Sequence, residues 1–291
     1  MQYEGTVIRP PSEANSIILQ VSIGCSHNRC TFCGAYKDKI FCLRSKDEID
    51  RDLDFAGQYC RRQTTVFLAD GNVLTLPHRF LVDLFSKIRQ KLPWVRRISM
   101  YAGCQDILNR SIDQLAELKK LGLGRLYMGL ESGHDPVLAA VNKGASSEEM
   151  IAAARRVRAA AVFLSVTCLL GLAGAQPAAS LAHARDTARV LNRMQPSQIA
   201  ILTLMLLDNT ELGQQAQRGK FILPGKQQLF YELRTLIAGL SNFRTLVQAN
   251  HSSNYFQLDG RLPRDREKFL AIIDQALSGD IGLKPEYLRV L

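Results

Sequence analysis

Six short apolar runs, each followed by a stretch with helical spacing, constrain this chain more than any other feature. The runs are 17–23, 65–69, 97–101, 125–130, 162–170 and 199–206. Ser45-x-x-Glu48 is a capping box that opens a helix with Ile49, Leu53 and Ala56 on one face. A second helix starts at about Pro77. Ile112, Leu115, Leu118 and Leu121 stripe a third, which Gly122 is placed to end. Ser146-x-x-Glu149 caps a fourth, and residues 178–194 form a fifth before the last strand. Strict alternation of strand and helix implies a parallel sheet with right-handed crossovers. A chain of 291 residues can bury a full core as one large α/β domain or two small ones. Residues 1–15 read as an irregular lead-in, with Pro10-Pro11 barring regular structure.

Parallel strands gather their functional loops at their carboxyl ends, and the chemistry-bearing residues of this chain fall there. The first run ends in Cys25-x4-Cys30-x2-Cys33. Three thiolates so close together repel one another and oxidise easily, and a metal centre removes both problems. A closed zinc site wants four ligands, and a plain electron-transfer cluster wants four cysteines. Three leave one metal position open, as a reactive centre needs, and Phe32 is placed to shield one side. A zinc knuckle that adds Cys42 is the alternative. The second run ends in Asp70-Gly71-Asn72, the fourth in Glu131-Ser132, and the fifth in Gly171-x-x-Gly174. Glycines there let a cofactor lie against bare backbone, and a carboxylate such as Glu131 accepts two hydrogen bonds from a ribose diol. Singly, Asp-Gly-Asn is a turn and a glycine pair a tight exit. In register after the right strands they suggest one site.

The cysteine run resembles the cluster loop of the radical S-adenosylmethionine (radical SAM) enzymes, usually C-x3-C-x-aromatic-C after the first strand. The extra residue between Cys25 and Cys30 resembles the Elp3-type branch. The resemblance implies a partial (β/α)6 barrel over residues 16–215 and a mostly helical extension over 216–291 that closes it. It implies that Cys25, Cys30 and Cys33 hold a [4Fe–4S] cluster whose fourth iron is chelated by SAM. Reduction then cleaves SAM to methionine and a 5′-deoxyadenosyl radical that takes hydrogen from a substrate. Asp70-Gly71-Asn72 stands where members often have Gly-Gly-Glu, so Asp70, Gly71 and nearby carbonyls are left to meet the SAM amino group, with Asn72 in place of the carboxylate. Glu131 and Ser132 match the ribose position, and 170–174, with Gly171 and Gly174, resembles the stretch that meets adenine. Asn209-Thr-Glu-Leu212 departs from the usual Gly-Thr-x-Leu. Oxygen sensitivity and an external electron donor such as flavodoxin or ferredoxin follow from the same resemblance.

A net charge of +10 favours anionic partners such as RNA or a phosphorylated substrate. Seven cysteines without a signal peptide point to a reducing cytoplasm. Residues 159–175 carry no charge, but Ser165, Thr167, Gly171 and Gly174 mark a buried strand, so no membrane association is expected. Cys168 reads as core, Cys60 as late in a helix, Cys104 as facing the site, and His78 and His183 as surface positions. The run from Asn250 to Tyr255 has no regular period. It has two readings: a substrate segment with His251, Asn254 and Tyr255 as catalytic candidates, or a capped loop sealing the barrel. The expected function is that of a radical SAM enzyme acting on an unknown substrate, small molecule or RNA; the alternatives are an RNA-modifying relative and a non-catalytic zinc-stabilised RNA- or protein-binding module.

Overall fold

The computed structural model describes residues 1–290. In chain order its elements begin with β1 (Ile17–Gln20), β2 (Ser22–Ile23), β3 (Cys42–Leu43), α1 (Lys46–Tyr59), β4 (Thr65–Ala69), α2 (His78–Lys91) and β5 (Arg97–Tyr101). They continue with α3 (Cys104–Leu108), α4 (Ile112–Lys120), β6 (Leu123–Glu131), α5 (Asp135–Ala140), α6 (Ser147–Ala159), β7 (Phe163–Leu170) and α7 (Pro177–Met194). The last are β8 (Gln198–Thr203), α8 (Glu211–Gln217), α9 (Lys226–Gly239), β9 (Thr245–Gln248), β10 (Asp259–Leu262) and α10 (Arg266–Ser278). The main sheet has eight strands, and β10 meets β9 antiparallel. This is the α/β class expected of a partial (β/α)6 barrel. The chain divides into two compact units.

The first unit holds Met1–Asn28, Ala35–Met128 and Arg155–Leu164. Here β1, β4, β5 and the first part of β6 lie parallel, with Ile17 opposite Val66, Thr65 opposite Arg97 and Ser99 opposite Arg125. Leu19, Phe67, Leu68, Ile98 and Met100 are fully buried, and each large side chain so buried stabilises the fold by about 1.5–3 kcal/mol. The Ser45–Glu48 box caps α1 from both sides, and its inner face is Ile49, Leu53 and Ala56 as the spacing predicts. A second box, Ser111–Gln114, caps α4. The lead-in has a structural duty. Glu13 is fully buried, accepts from both Arg97 and the Tyr127 hydroxyl, and lies against the edge-packed ring set of Phe67, Tyr101 and Tyr127. Burial, reinforced by Glu13, pushes the Tyr127 phenol up to about 12.

The second unit holds Arg29–Gly34, Gly129–Ala154 and Ser165 onward. In it β7, β8 and β9 run parallel, with Val166 opposite Ile199 and Ile199 opposite Val247, and β10 closes the edge antiparallel to β9. The extension is richer than expected. Helices α9 and α10 supply most of its regular structure, but β9 continues the parallel set beyond β8. A four-residue strand is too short to show a period, which is why Thr245–Gln248 escapes a sequence reading. The uncharged segment 159–175 is divided between the end of α6 and β7, and no helix among the described residues is long and apolar enough to cross a membrane.

Candidate active site

In the first unit the cysteine loop is held at both ends. Beyond β1 the chain peels away from the main sheet, and β2 pairs antiparallel with β3, setting Ile23 opposite Cys42. The Asp70-Gly71-Asn72 turn, at the carboxyl end of β4, grips the loop between them. Asp70 is fully buried, and its Oδ2 accepts from the Gly24 amide (3.1 Å), Gln20 Nε2 (3.2 Å) and Lys39 Nζ (3.4 Å). Gly71 donates its amide to the Gly24 carbonyl (3.0 Å). Asn72 Nδ2 donates to Ser26 Oγ (2.7 Å) and Asp106 Oδ2 (2.6 Å), while its Oδ1 accepts from the Gly103 amide. Asn72 thus acts as a bracket between loops, a duty its polar side chain performs without a carboxylate. The second oxygen of Asp70, Oδ1, is buried with no hydrogen-bond partner among the described residues. An unmet carboxylate oxygen in such a place is costly unless a ligand satisfies it.

In the second unit, Cys30 and Cys33 ride on a segment fastened by its backbone. Thr31 donates to the Val141 carbonyl (3.0 Å) and accepts from the Leu212 amide (2.9 Å). Phe32 packs on an apolar cluster that includes Val141, Leu169, Leu172 and Leu212. Asn209 Nδ2 donates to the Gly34 carbonyl (3.0 Å), and Thr210 caps α8. The Asn in place of the usual Gly therefore contributes a side-chain bond to the cysteine segment.

Glu131 ends β6 with φ +63°, a left-handed backbone that costs a non-glycine residue on the order of 1–3 kcal/mol. Its side chain is nearly buried, and Oε1 accepts from Lys143 Nζ at 3.0 Å. Burial works to lower the Lys143 pKa, but Glu131 and the Cys30 and Cys33 thiolates outweigh it and hold the ammonium above the usual lysine range. Lys143 carries no sequence signal of its own: it lies twelve residues beyond Glu131, past α5. Cys168 is core, as expected, and burial followed by Glu131 raises its thiol.

Ser132 departs from expectation. It is fully buried, with Oγ 2.7 Å from His183 Nδ1 and accepting from the His134 amide, so its side chain positions the turn and is not open to a ligand. His183 is likewise buried, not on the surface, because α7 turns its 180, 183–184, 187–188, 191 and 194 positions inward. Gly171 and Gly174 both have left-handed backbones, and the Gly174 amide donates to the Gly171 carbonyl to close a turn.

The Asn250–Tyr255 run follows β9, and its contacts within the unit match the reading of a capped loop. Asn254 donates to the Ile201 carbonyl (2.8 Å) and accepts from Thr203 Oγ1 (2.8 Å), which commits both ends of its amide to β8. The Tyr255 hydroxyl lies between Glu286 and Arg289, and its ring is covered by Arg289 at 3.9 Å and Phe230 edge-on. Burial, with the bond to Glu286, pushes its phenol up to about 12. His251 Nδ1 accepts from the Ser253 amide of the same loop, and burial, then Lys284, lowers its pKa below the usual histidine value. The cavity lined by Leu170, Thr203, Phe230, Asn254 and Tyr255 is about 10 Å³, room for at most one water. These contacts are those of a capped loop. Tyr255→Phe should therefore melt a few degrees lower while keeping its iron, since it loses hydrogen bonds to charged partners. Unchanged melting together with lost substrate turnover would restore a catalytic role.

A model of the family described as "Radical SAM superfamily" matches residues 19–177, more than half of the chain. The chain belongs to the radical SAM superfamily. Solved structures of radical SAM enzymes share the fold. Methylornithine synthase (PylB) is 16% identical over 80% of this chain and 65% of that one, with TM-score 0.55. Coproporphyrinogen III oxidase (HemN) from Escherichia coli is 20% identical over 77% and 51%, with TM-score 0.55. The radical SAM methyltransferase TsrM from Kitasatospora setae, with cobalamin and a [4Fe–4S] cluster bound, is 16% identical over 69% and 36%, with TM-score 0.55. The chain spans less than two thirds of the length of each. Comparison with curated proteins gives no match.

Radical SAM enzymes use a [4Fe–4S] cluster and SAM, and the residues present fit both. Cys25, Cys30 and Cys33 are partly buried and in no disulfide, whereas Cys42 is exposed on β3. Three thiolates suit a cluster with one iron left for a further ligand. The unmet Asp70 Oδ1 suits an ammonium group, and Glu131 is a carboxylate retained at a strained strand end.

Proposed function

We propose that this radical SAM chain reductively cleaves SAM at a [4Fe–4S] cluster held by Cys25, Cys30 and Cys33, and uses the resulting radical on a substrate. The observation that carries the reading is the three-cysteine loop at the carboxyl end of the first strand of the matched family. Bound there, the cluster and SAM supply a one-electron cleavage to methionine and a 5′-deoxyadenosyl radical, which takes a hydrogen atom from substrate. The protein supplies placement and exclusion of water. The cysteine sulfurs hold the irons, and Asp70 Oδ1 accepts from the amino group of SAM. Glu131 accepts from the ribose diol. Phe32, seated on the apolar cluster around Val141, keeps water from the Cys30–Cys33 segment.

Finer assignments rest on less. The spacing between Cys25 and Cys30 supports a place beside the Elp3-type branch, and the net charge of +10 supports an anionic substrate, RNA among them. The other four cysteines are dispersed, which supports an external one-electron donor of the flavodoxin or ferredoxin kind, and cysteines outside any disulfide suit a reducing cytoplasm.

Glu131→Ala tests the ribose assignment. It should weaken SAM binding by about 1–3 kcal/mol, roughly 5- to 150-fold in Kd. Melting is measured alongside, because the variant leaves the Lys143 ammonium without its partner. Unchanged SAM affinity in a protein with full iron would show that Glu131 does not hold the nucleoside.

A further inference from the structure

The two turns assigned to the nucleoside, 131–133 and 171–174, are joined by side chains from α7 and α9 that no sequence feature announced. Glu232 sits on the apolar inner face of α9, beside Leu229, Leu233 and Leu236, and is fully buried. A carboxylate in such a place persists only with its oxygens satisfied. Its Oε1 accepts from the Gly171 amide at 2.7 Å, and its Oε2 from Ser180 Oγ at 2.6 Å. His183 Nε2 lies 3.3 Å from Oε1 and 3.1 Å from the Leu169 carbonyl. Both neighbours are acceptors, so Nε2 carries the proton and Nδ1 accepts from Ser132 Oγ at 2.7 Å. One helical turn on, Thr187 Oγ1 accepts from the Gly133 amide at 2.8 Å and donates to the His183 carbonyl. A Cβ at Gly133 would lie 2.5 Å from the Asp186 carbonyl oxygen, so α7 rests directly on this turn.

We propose that His183 and Glu232 are positioning residues for SAM: a buried relay, Ser132 to His183 to Glu232 to Gly171, that sets the Glu131 strand end against the Gly171 strand end. The proposal rests on the cofactor reading above. Neither side chain reaches the cofactor; each acts through a backbone or hydroxyl group that borders it. Partners of this outer kind change affinity by about tenfold or more when removed. The relay also gives the extension a duty in the enzyme, since Glu232 belongs to α9.

The test is equilibrium binding of SAM to anaerobically reconstituted protein, with iron content, melting temperature and uncoupled formation of 5′-deoxyadenosine measured on the same samples. Glu232→Ala should keep its iron and bind SAM about tenfold more weakly, raising the KM for SAM while kcat stays near that of the unsubstituted protein. Glu232→Gln should restore affinity to within about twofold, because its amide oxygen still accepts from Gly171. Full iron with unchanged SAM affinity in Glu232→Ala would overturn the proposal. So would an equal loss of affinity and melting temperature in both variants, which marks a purely structural carboxylate. Should Glu232→Ala fail to hold iron, Ser180→Ala decides: weaker SAM binding at full iron supports the relay, and unchanged binding overturns it. If the unsubstituted protein itself binds no SAM, the cofactor reading falls and takes the relay with it.

Discussion

Replacing Cys25, Cys30 or Cys33 by Ala will abolish the iron–sulfur centre, whereas Cys42→Ala will leave it intact. Anaerobic reconstitution of the unsubstituted protein should give about four irons and four sulfides per chain. The three loop cysteines are partly buried, and Cys42 is exposed on a two-residue strand. Losing one of three ligands leaves a second iron without its cysteine, which should prevent stable assembly of the cluster. Iron and acid-labile sulfide analysis checks this directly. If Cys42→Ala removed the metal as completely as the other three, the site would hold four cysteines and have no iron open to SAM. A colourless protein with stoichiometric zinc would point the same way.

Gly71→Ala should disturb the cysteine loop directly. An added Cβ would lie 2.7 Å from the Tyr36 ring and 2.9 Å from Cys25 Cβ, both within van der Waals contact. Tyr36 is buried and has no open space to swing into, and overpacking of this kind costs about 1–3 kcal/mol. The strain falls on the residue that carries a cluster ligand, so melting temperature and iron loading should drop together. Gly282→Ala, with nothing within 4 Å, is the control and should change neither. Full iron and unchanged melting in Gly71→Ala would mean that the β4 turn does not set the loop.

What could be read from the chain alone was whatever repeats or caps. Runs such as 65–69 and 97–101 match β4 and β5 residue for residue, and the box Ser45–Glu48 marks the start of α1 before them. Cys25, Cys30, Cys33 and Glu131 stood out because each lies at a strand end in a recognisable spacing. The side chains that organise the site did not. Lys143, His183 and Glu232 meet their partners across 12, 51 and 61 residues respectively, and nothing local marks such contacts. His183 illustrates the difficulty: its place on the inner face of α7 was legible in the helical spacing, yet its polarity suggested the surface. The polar run from Asn250 to Tyr255 is a case of the opposite kind. Hydrogen-bonding residues gathered without a period suggested chemistry, but their partners are Ile201, Thr203, Glu286 and Arg289 of the same unit. Asp70 lay between these cases, legible as a strand-end carboxylate but not as the clamp on Gln20, Gly24 and Lys39 that the structure shows.

The central claim is that this chain cleaves SAM by reduction at a three-cysteine cluster. Its most direct test is quantification of 5′-deoxyadenosine after the anaerobically reconstituted protein is incubated with SAM and dithionite. The account predicts slow accumulation of 5′-deoxyadenosine with methionine in equal amount, dependent on the reductant and absent from Cys30→Ala. A protein that carries about four irons, binds SAM and still forms no 5′-deoxyadenosine under reduction would contradict it.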